Sequence, residues 1–577
     1  MSSQLAMDFA RSRALADALS RLSSESSIEE RGAVFTRSEV VEGILDLCGY
    51  TSDRDLTTLR LLEPSCGDGE FLLPSVRRLV ASARRQGILP SQWPIALVDA
   101  IVAVELHAAS VERARDRVGT FLTEEGMPPD QAATLCARWV RCDDFLLADM
   151  PANVDVAVGN PPYVRQERIP DLLLTEYRRR FATLYDRADL YVLFYERCLR
   201  LLAPGGLLGF ICANRWIKNK YGGPLRELIA RSFNLETYID LQHADAFHST
   251  VDAYPAITLI RRAQPGQTAV ITSGRNGKFP LSRVFAAALQ PKASNEVTFI
   301  ERVASGRDPW LLDAPAMLQC IRSLESRLPT LEESGARIGI GVATGSDHIY
   351  IGDFEKLPVE PARKLRLAMS EDLTNSGVRW SGRGLVNPWT ESGTLASLDD
   401  YPRFGAYMKR HEATLRARHT AKNRPVGWFR TIDRVWPDLT RRPKLLIPDI
   451  KGEAVVSYDE GAFYPHHNLY VVTSETWDLR VLQTLLRSSV ALAIVAAYCV
   501  RMSGGFLRFQ AQYLRRIRVP RPESLSADLR RRLRSAATST DQEEIDRVAI
   551  EAYGFTQDEA VRICDFAAAA RVPKGNA

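Results

Sequence analysis

The tetrapeptide Asn160-Pro161-Pro162-Tyr163, set directly after the apolar run from Val154 to Gly159, constrains this chain more than any other feature. The run reads as a buried strand. Two consecutive prolines forbid that strand to continue, because neither can donate to a sheet ladder. The strand therefore ends with four unusual groups at its tip. Asn160 carries a side-chain carbonyl and an amide. Pro161 has no N–H, so its carbonyl can point outward without a competing donor, and Pro162 stiffens the turn. Tyr163 adds a flat ring with a polar end. Two oxygen acceptors beside an aromatic face make a socket for a planar –NH2 group. Taken alone, the tetrapeptide is equally a plain Pro-Pro turn, so its surroundings must decide.

About a hundred residues upstream lies Leu61-Leu62-Glu63-Pro64-Ser65-Cys66-Gly67-Asp68-Gly69-Glu70-Phe71-Leu72. It reads as a buried strand, a glycine-bearing turn and a helix start. Gly67 and Gly69 let the backbone turn tightly and approach a ligand. Glu63, at the strand end, can hold a cationic amino group. The spacing is not Gly-x-Gly-x-x-Gly, and no Gly-Lys-Ser/Thr follows, which argues against a dinucleotide or a nucleoside triphosphate.

With these two motifs in this order, the chain resembles the N6-adenine DNA methyltransferases of the gamma arrangement, and among them the TaqI-like members. In that family the S-adenosyl-L-methionine (SAM) motifs precede the catalytic Asn-Pro-Pro-Tyr, and a target-recognition domain follows. Further segments match in order. Arg31-Gly32-Ala33-Val34-Phe35-Thr36 resembles the segment leading into the fold. Ile101-Val102-Ala103-Val104-Glu105 resembles the second strand with its acidic, ribose-binding tip. Cys142-Asp143-Asp144-Phe145-Leu146 resembles the segment that contacts the SAM adenine, Asp144 accepting from its amino group and Phe145 packing on the ring. Ala246-Phe247 resembles a loop giving a second aromatic face. The resemblance implies that Thr36, Glu63, Ser65, Cys66, Gly67, Glu105, Asp144, Phe145 and Asn160 bind SAM. It implies that Asn160, Pro161 and Tyr163 are catalytic, with Tyr163 and Phe247 stacking on the substrate base. One departure is the stretch from Glu63 to Glu105, longer than the roughly 20 residues usual across such a unit. The excess falls around Gln86 to Pro94 and reads as a loop insertion. Glu105 is otherwise readable as a capped strand end with no ligand.

The chemistry asks for these residue types. The exocyclic nitrogen of adenine is a poor nucleophile because its lone pair is delocalised. Two acceptors on its hydrogens favour a pyramidal nitrogen, and alignment then matters more than a strong base. The target atom is inaccessible in a stacked duplex, so the base must flip out.

The expected fold is α/β: a doubly wound, Rossmann-like SAM-dependent methyltransferase domain followed by a mixed α+β DNA target-recognition domain. At 577 residues the chain is too long for one core. The expected divisions are a helical extension over 1–30, the catalytic domain over 31–265, a connector over 266–333, the recognition domain over 334–520 and a helical tail over 521–577. Ile338-Gly339-Ile340-Gly341-Val342-Ala343-Thr344-Gly345-Ser346-Asp347 resembles the start of the TaqI-like recognition domain. Beyond it, Arg379-Trp380, Arg383, Lys409-Arg410, Arg416, Arg418, Lys422, Arg424, Trp428, Arg430, Arg434, Trp436 and Arg441-Arg442 interleave basic and aromatic residues. Such a patch can neutralise phosphates and read guanine, with Arg379, Arg383, Arg424, Arg430 and Arg434 as the DNA-binding candidates. It can equally be a solvated basic face over core tryptophans.

A net charge of +5 permits a nucleic-acid partner without demanding one. The nine cysteines form no Cys-x-x-Cys pair and no Cys/His cluster. That fits a reducing cytoplasm and argues against structural zinc, so no metal is expected. No leader and no membrane span are expected, since the apolar stretch near Val490 to Val500 is too short to cross a bilayer. The expected function is a site-specific DNA adenine methyltransferase of a restriction–modification or phage-defence system. Its partner is double-stranded DNA, and any cleavage would come from a separately encoded restriction endonuclease. The alternatives are a methyltransferase acting on a protein glutamine or on RNA, cytosine N4 methylation, and a DNA-binding module without catalysis. About 300 residues follow the catalytic core, which disfavours the compact glutamine-modifying enzymes.

Overall fold

A computed structural model describes residues 14–23, 36–241, 247, 255–272, 280–294, 296–303, 306–312, 315–422, 425–451, 455–499 and 507–571. The chain forms two compact units, Met1–Pro315 and Ala316–Ala577.

The first unit is built on one sheet of nine strands: β1 (Leu61–Glu63), β2 (Ile101–Glu105), β3 (Val140–Cys142), β4 (Val154–Gly159), β5 (Leu202–Ala213), β6 (Asn234–Asp240), β7 (Pro255–Arg261), β8 (Thr268–Thr272) and β9 (Val297–Ile300). Their order is β3-β2-β1-β4-β5-β7-β6-β8-β9. Strands β3 to β5 run parallel, and β7 is wedged antiparallel between β5 and β6. Near-continuous apolar strands such as Val154–Gly159 suit a parallel sheet covered on both faces. From β1 the chain winds outward to β2 and β3, then returns to start β4 on the other side. The carboxyl ends of β1 and β4 therefore flank the point where the winding reverses, which is where open α/β sheets hold ligands. The helix Leu72–Arg85 that leaves the first turn buries Leu72, Val76, Leu79, Val80 and Ala83, one face at helical spacing.

The excess between Glu63 and Glu105 is an ordered elbow. Pro90–Gln92 forms a single 3-10 turn and Trp93–Ala96 a short helix. Trp93 is fully buried there, its Nε1 donating to the Ile88 carbonyl at 3.2 Å.

The expected connector over 266–333 needs correction. Strand β8 pairs in parallel with β6, and β9 pairs with β8. Helix Leu281–Leu289 packs on helix Ser38–Leu47 so closely that a methyl group at Gly43 would lie 2.4 Å from the Phe285 ring. The catalytic sheet thus continues beyond 265. Its last strands are short, and their turn-rich surroundings read as a linker.

The second unit is mixed α+β. One four-stranded antiparallel sheet contains Ala336–Ile340, Leu469–Ser474, Lys444–Pro448 and Ser457–Asp459. Another contains Ile351–Asp353, Arg383–Val386, Lys364–Ala368 and Tyr464–Pro465. Helix Ser489–Tyr498 is buried at every residue. Asp546, from the C-terminal helix Gln542–Tyr553, caps it by accepting from the Ser489 N–H and hydroxyl, both at 2.6 Å. Among the described residues no single helix is long and apolar enough to cross a membrane.

Candidate functional site

The carboxyl ends of β1, β2 and β4 enclose a cavity of about 280 Å³. Gly67 and Gly69 turn the chain there with φ of +52° and +92°, values that only glycine adopts readily. The turn presents the Gly67 N–H to Glu105 Oε2 at 2.9 Å. The other oxygen of Glu105 accepts from the His107 N–H at 3.0 Å. The first motif is thus clipped to the tip of the second strand, and Glu105 is fixed by two backbone donors at the cavity wall.

Glu63 ends β1 and is 1% exposed. Its Oε2 has no hydrogen-bond partner among the described residues. Burial, then the neighbouring Glu70 and Glu105, push its carboxyl well above the usual carboxylate range. A buried carboxyl in that state is completed by a proton or by a cation. It lines the cavity together with Thr36, Ser65, Cys66, Gly67, Asp144, Phe145 and Asn160, so every expected SAM-binding residue reaches one space.

Asp144 lies across the cavity and is buried. Oδ1 accepts from the Leu146 N–H at 2.8 Å, and Oδ2 accepts from the Tyr177 hydroxyl at 2.6 Å. Burial raises its carboxyl, while these two bonds pull it down. Phe145 packs against Phe194 with ring centroids 5.3 Å apart, under the Arg197 guanidinium. Among the lining residues that were not foreseen, two come from helices outside the motifs. Tyr177 sits on helix Asp171–Arg180, where its spacing from Leu173 marks only an apolar face. Leu22 comes from the N-terminal helix over 14–23, which reaches the cavity wall, and His107 Nδ1 lies 3.0 Å from the Ser23 carbonyl oxygen.

Asn160 caps β4. Its Nδ2 donates to Thr36 Oγ1 at 3.2 Å, and its backbone carbonyl accepts from the Ser65 hydroxyl at 3.4 Å. Tyr163 stands two residues beyond the buried Pro161, with its ring half-buried and its hydroxyl sunk beside Cys212. Tyr191 braces it, ring centroids 6.1 Å apart, and the Tyr191 hydroxyl is itself bonded to that of Tyr221 at 2.8 Å. Phe247 is brought close by a backbone bridge to Thr36, but its ring is 8% exposed and packed in the core. Arg31 to Phe35 and Ala246 lie outside the described residues.

Two family models match the chain: the Eco57I restriction-modification methylase over residues 137–247 and the TaqI-like C-terminal specificity domain over residues 403–519. The chain is 50% identical to the Type II methyltransferase M.XhoI of Xanthomonas vasicola, over 92% of this chain and 98% of that protein. It is 39% identical to the Type II methyltransferase M.BstVI of Geobacillus stearothermophilus, over 93% of this chain and 99% of that one. The chain belongs to the Type II methyltransferases of restriction–modification systems. Its fold is similar to that of the Type IIL restriction-modification enzyme MmeI, with a TM-score of 0.61 and 13% identity, covering 96% of this chain and 81% of that one. This methyltransferase acts on DNA, and its methyl donor is SAM.

In the second unit of the methyltransferase, Arg379, Arg383 and Arg434 are exposed and Arg430 is half-buried, whereas Arg424 lies outside the described residues. Arg434 spans Trp389 and Trp436 at 5.3 and 5.0 Å from their ring centroids, and Trp436 is 47% exposed. Other members of the basic–aromatic stretch serve the fold. Arg418 donates to the Leu415, Thr344, Trp428 and Arg430 carbonyls as an internal clip. Arg416, Arg441 and Arg442 pair with Glu412, Glu391 and Asp438. Trp428 is buried in the core.

Proposed function

We propose that this methyltransferase modifies the N6 of an adenine flipped out of double-stranded DNA, as the cytoplasmic modification arm of a restriction–modification or phage-defence system whose cleavage comes from a separately encoded endonuclease. The observation that carries the reading is Asn160. Thr36 holds its Nδ2, which turns Oδ1 into the side chain's acceptor at the tip of β4. Beside it stand Pro161 and the half-open ring of Tyr163.

Bound SAM supplies an electrophilic methyl group on a good leaving group. The chain's own residues do the rest. Glu63 holds the cationic amino group, for which its buried, incompletely bonded carboxyl is fitted. Glu105, fixed by two N–H groups, takes the ribose hydroxyls; Ser65, Cys66 and Gly67 shape the wall between them. Asp144, oriented by Tyr177, accepts from the adenine amino group of the cofactor, and Phe145 packs on that ring. Asn160 Oδ1 and the Pro161 carbonyl accept the two N6 hydrogens of the target base. That draws lone-pair density toward the methyl group without a strong base. The methyl group supplied by SAM would pass to N6 with the cofactor's sulfur leaving as a neutral thioether, and the proton then lost from N6 would go to water. Tyr163 stacks on the extruded base, worth roughly 1–3 kcal/mol against the cost of flipping. By the family resemblance Phe247 would supply the opposite face, although it is packed in the core here. The recognition domain over 334–520 reads the target, with Arg379, Arg383, Arg424, Arg430 and Arg434 on the duplex.

Nucleoside mass spectrometry on methyl-free duplex DNA, incubated with SAM and the enzyme, tests this reading. N6-methyladenine from the wild type is the expected product. Asn160→Ala is expected to keep SAM affinity and lose about 100- to 1,000-fold in kcat, the scale of removing one positioned catalytic hydrogen-bonding group. N4-methylcytosine, or full activity in Asn160→Ala, overturns it.

A further inference from the structure

We propose that Asp347, His466 and His467 form a binding site for a zinc-class divalent cation in the second unit. Asp347 opens the short helical turn Asp347–Tyr350, and the two histidines directly follow the strand Tyr464–Pro465. The backbone brings these segments together: the Val342 N–H donates to the Pro465 carbonyl at 3.0 Å, and Val342 bridges to His466. One ligand atom from each of the three side chains lies within 4.8 Å of the others.

Three details favour a cation over a plain ion pair. First, His466 Nε2 stands 3.4 Å from Asp347 Oδ2. A charge-assisted hydrogen bond closes to about 2.7–2.9 Å. Two donors each bound about 2.0–2.1 Å from one tetrahedral ion lie roughly 3.3–3.4 Å apart. Second, His466 is 3% exposed, and the Nδ1 of the neighbouring His467 is buried with no hydrogen-bond partner among the described residues, a lone pair that a cation would complete. The two rings also crowd together, with centroids 4.0 Å apart. Third, the Thr344 hydroxyl bonds to Asp347 Oδ1, which orients the carboxylate and points Oδ2 at the histidines, as outer partners of metal ligands do.

Two imidazoles and one carboxylate suit zinc, not magnesium or calcium, which prefer all-oxygen shells. The Asp347 side chain is 50% exposed, so water can reach the remaining position. The cation would cross-link the 341–347 loop to the strand behind it. That loop also binds the segment carrying Arg434, through the Ala343 N–H to Asp433 Oδ2 at 2.9 Å. The site departs from the metal-free expectation drawn from cysteine spacing, because its ligands are 119 residues apart in the chain.

The test uses full-length enzyme made without a polyhistidine tag, stripped with EDTA and dialysed against buffered zinc. Metal is counted by mass spectrometry, and thermal transitions are read in parallel. We expect a single zinc equivalent per chain, retained in millimolar magnesium, and a zinc-dependent rise in the transition of the second unit. His467→Ala and Asp347→Asn are each expected to weaken zinc binding about tenfold or more, while a zinc-free thermal transition of the second unit within a few degrees of wild type shows that this unit is folded in the same variants. Cys142→Ser controls for an exposed thiol and leaves the zinc count unchanged. No zinc in the wild type, or wild-type zinc affinity in both ligand variants, overturns the proposal.

Discussion

Replacing Glu63 with glutamine separates the charge of the crevice from its shape. Glu63 is 1% exposed, and burial, Glu70 and Glu105 all raise its carboxyl above the ordinary value of 4.5. Between that ordinary value and the raised native one, the folded chain holds a proton that the unfolded chain has released. Stability of the cofactor-free enzyme therefore falls as pH rises through this window, and it levels off above the native pKa. Glutamine cannot ionise, so Glu63→Gln removes that loss. The first unit should gain about 1–3 kcal/mol above the window, the scale of a buried polar group left incomplete. Binding moves the opposite way. The cationic amino group of SAM needs the carboxylate, so below the native pKa binding expels a proton. The Kd for SAM should then fall about tenfold per pH unit until that pKa and be flat beyond it. Glu63→Gln loses a charge-assisted hydrogen bond worth about 1.5–3 kcal/mol, or roughly 10- to 150-fold in Kd, and loses the pH dependence with it. Calorimetric SAM titrations across pH, with melting of the cofactor-free protein, read both effects. A variant that binds SAM within twofold of wild type, keeps the same pH profile and melts no later refutes the assignment of Glu63.

Three further substitutions probe the remaining parts. Tyr163→Ala removes the stacking face and should cost about 1–3 kcal/mol, roughly 5- to 150-fold in kcat/KM on duplex DNA, and less where the target base is already mismatched; single-turnover kinetics on both substrates would show no difference if the ring has no such role. Tyr177→Phe deletes the hydroxyl that holds Asp144 Oδ2 and lowers its pKa. The carboxyl should climb further, and SAM affinity should weaken most on the acid side, so an unchanged Kd at low pH would remove Tyr177 from the site. Arg434→Ala should weaken DNA binding about equally across sequences and lower the salt slope by about 1 if the arginine meets phosphate; a loss confined to one base position would make it a reader of sequence instead.

What the sequence disclosed follows the distance over which each feature is encoded. Strand tips are local: an apolar run that stops at Glu63, Glu105 or Asn160 declares both the strand and the group at its end, and the parallel order then brings the three tips together. Tyr177 and Leu22 escaped because each is one apolar position on a helix, and nothing local distinguishes a helix face that packs on a cavity from one that packs on a core. Strands β8 and β9 escaped for a related reason. A sheet edge of four or five residues has too little pattern to stand out from a turn-rich linker, and only pairing with β6 gives it a place.

The basic stretch of the second unit shows where composition misleads. Arg418 and Arg434 belong to the same basic–aromatic stretch of the sequence. The structure spends four hydrogen bonds of Arg418 on backbone carbonyls, whereas Arg434 is exposed and lies over two tryptophan rings, one of them open to solvent. A guanidinium that gives four of its five N–H donors to carbonyls has only one left for a phosphate. One held over indole rings leaves its N–H groups for a phosphate while its flexible stem is held in place. The arginines that meet DNA should therefore be those restrained by aromatic faces, and those restrained by carbonyls should be the ones whose loss unfolds the recognition domain.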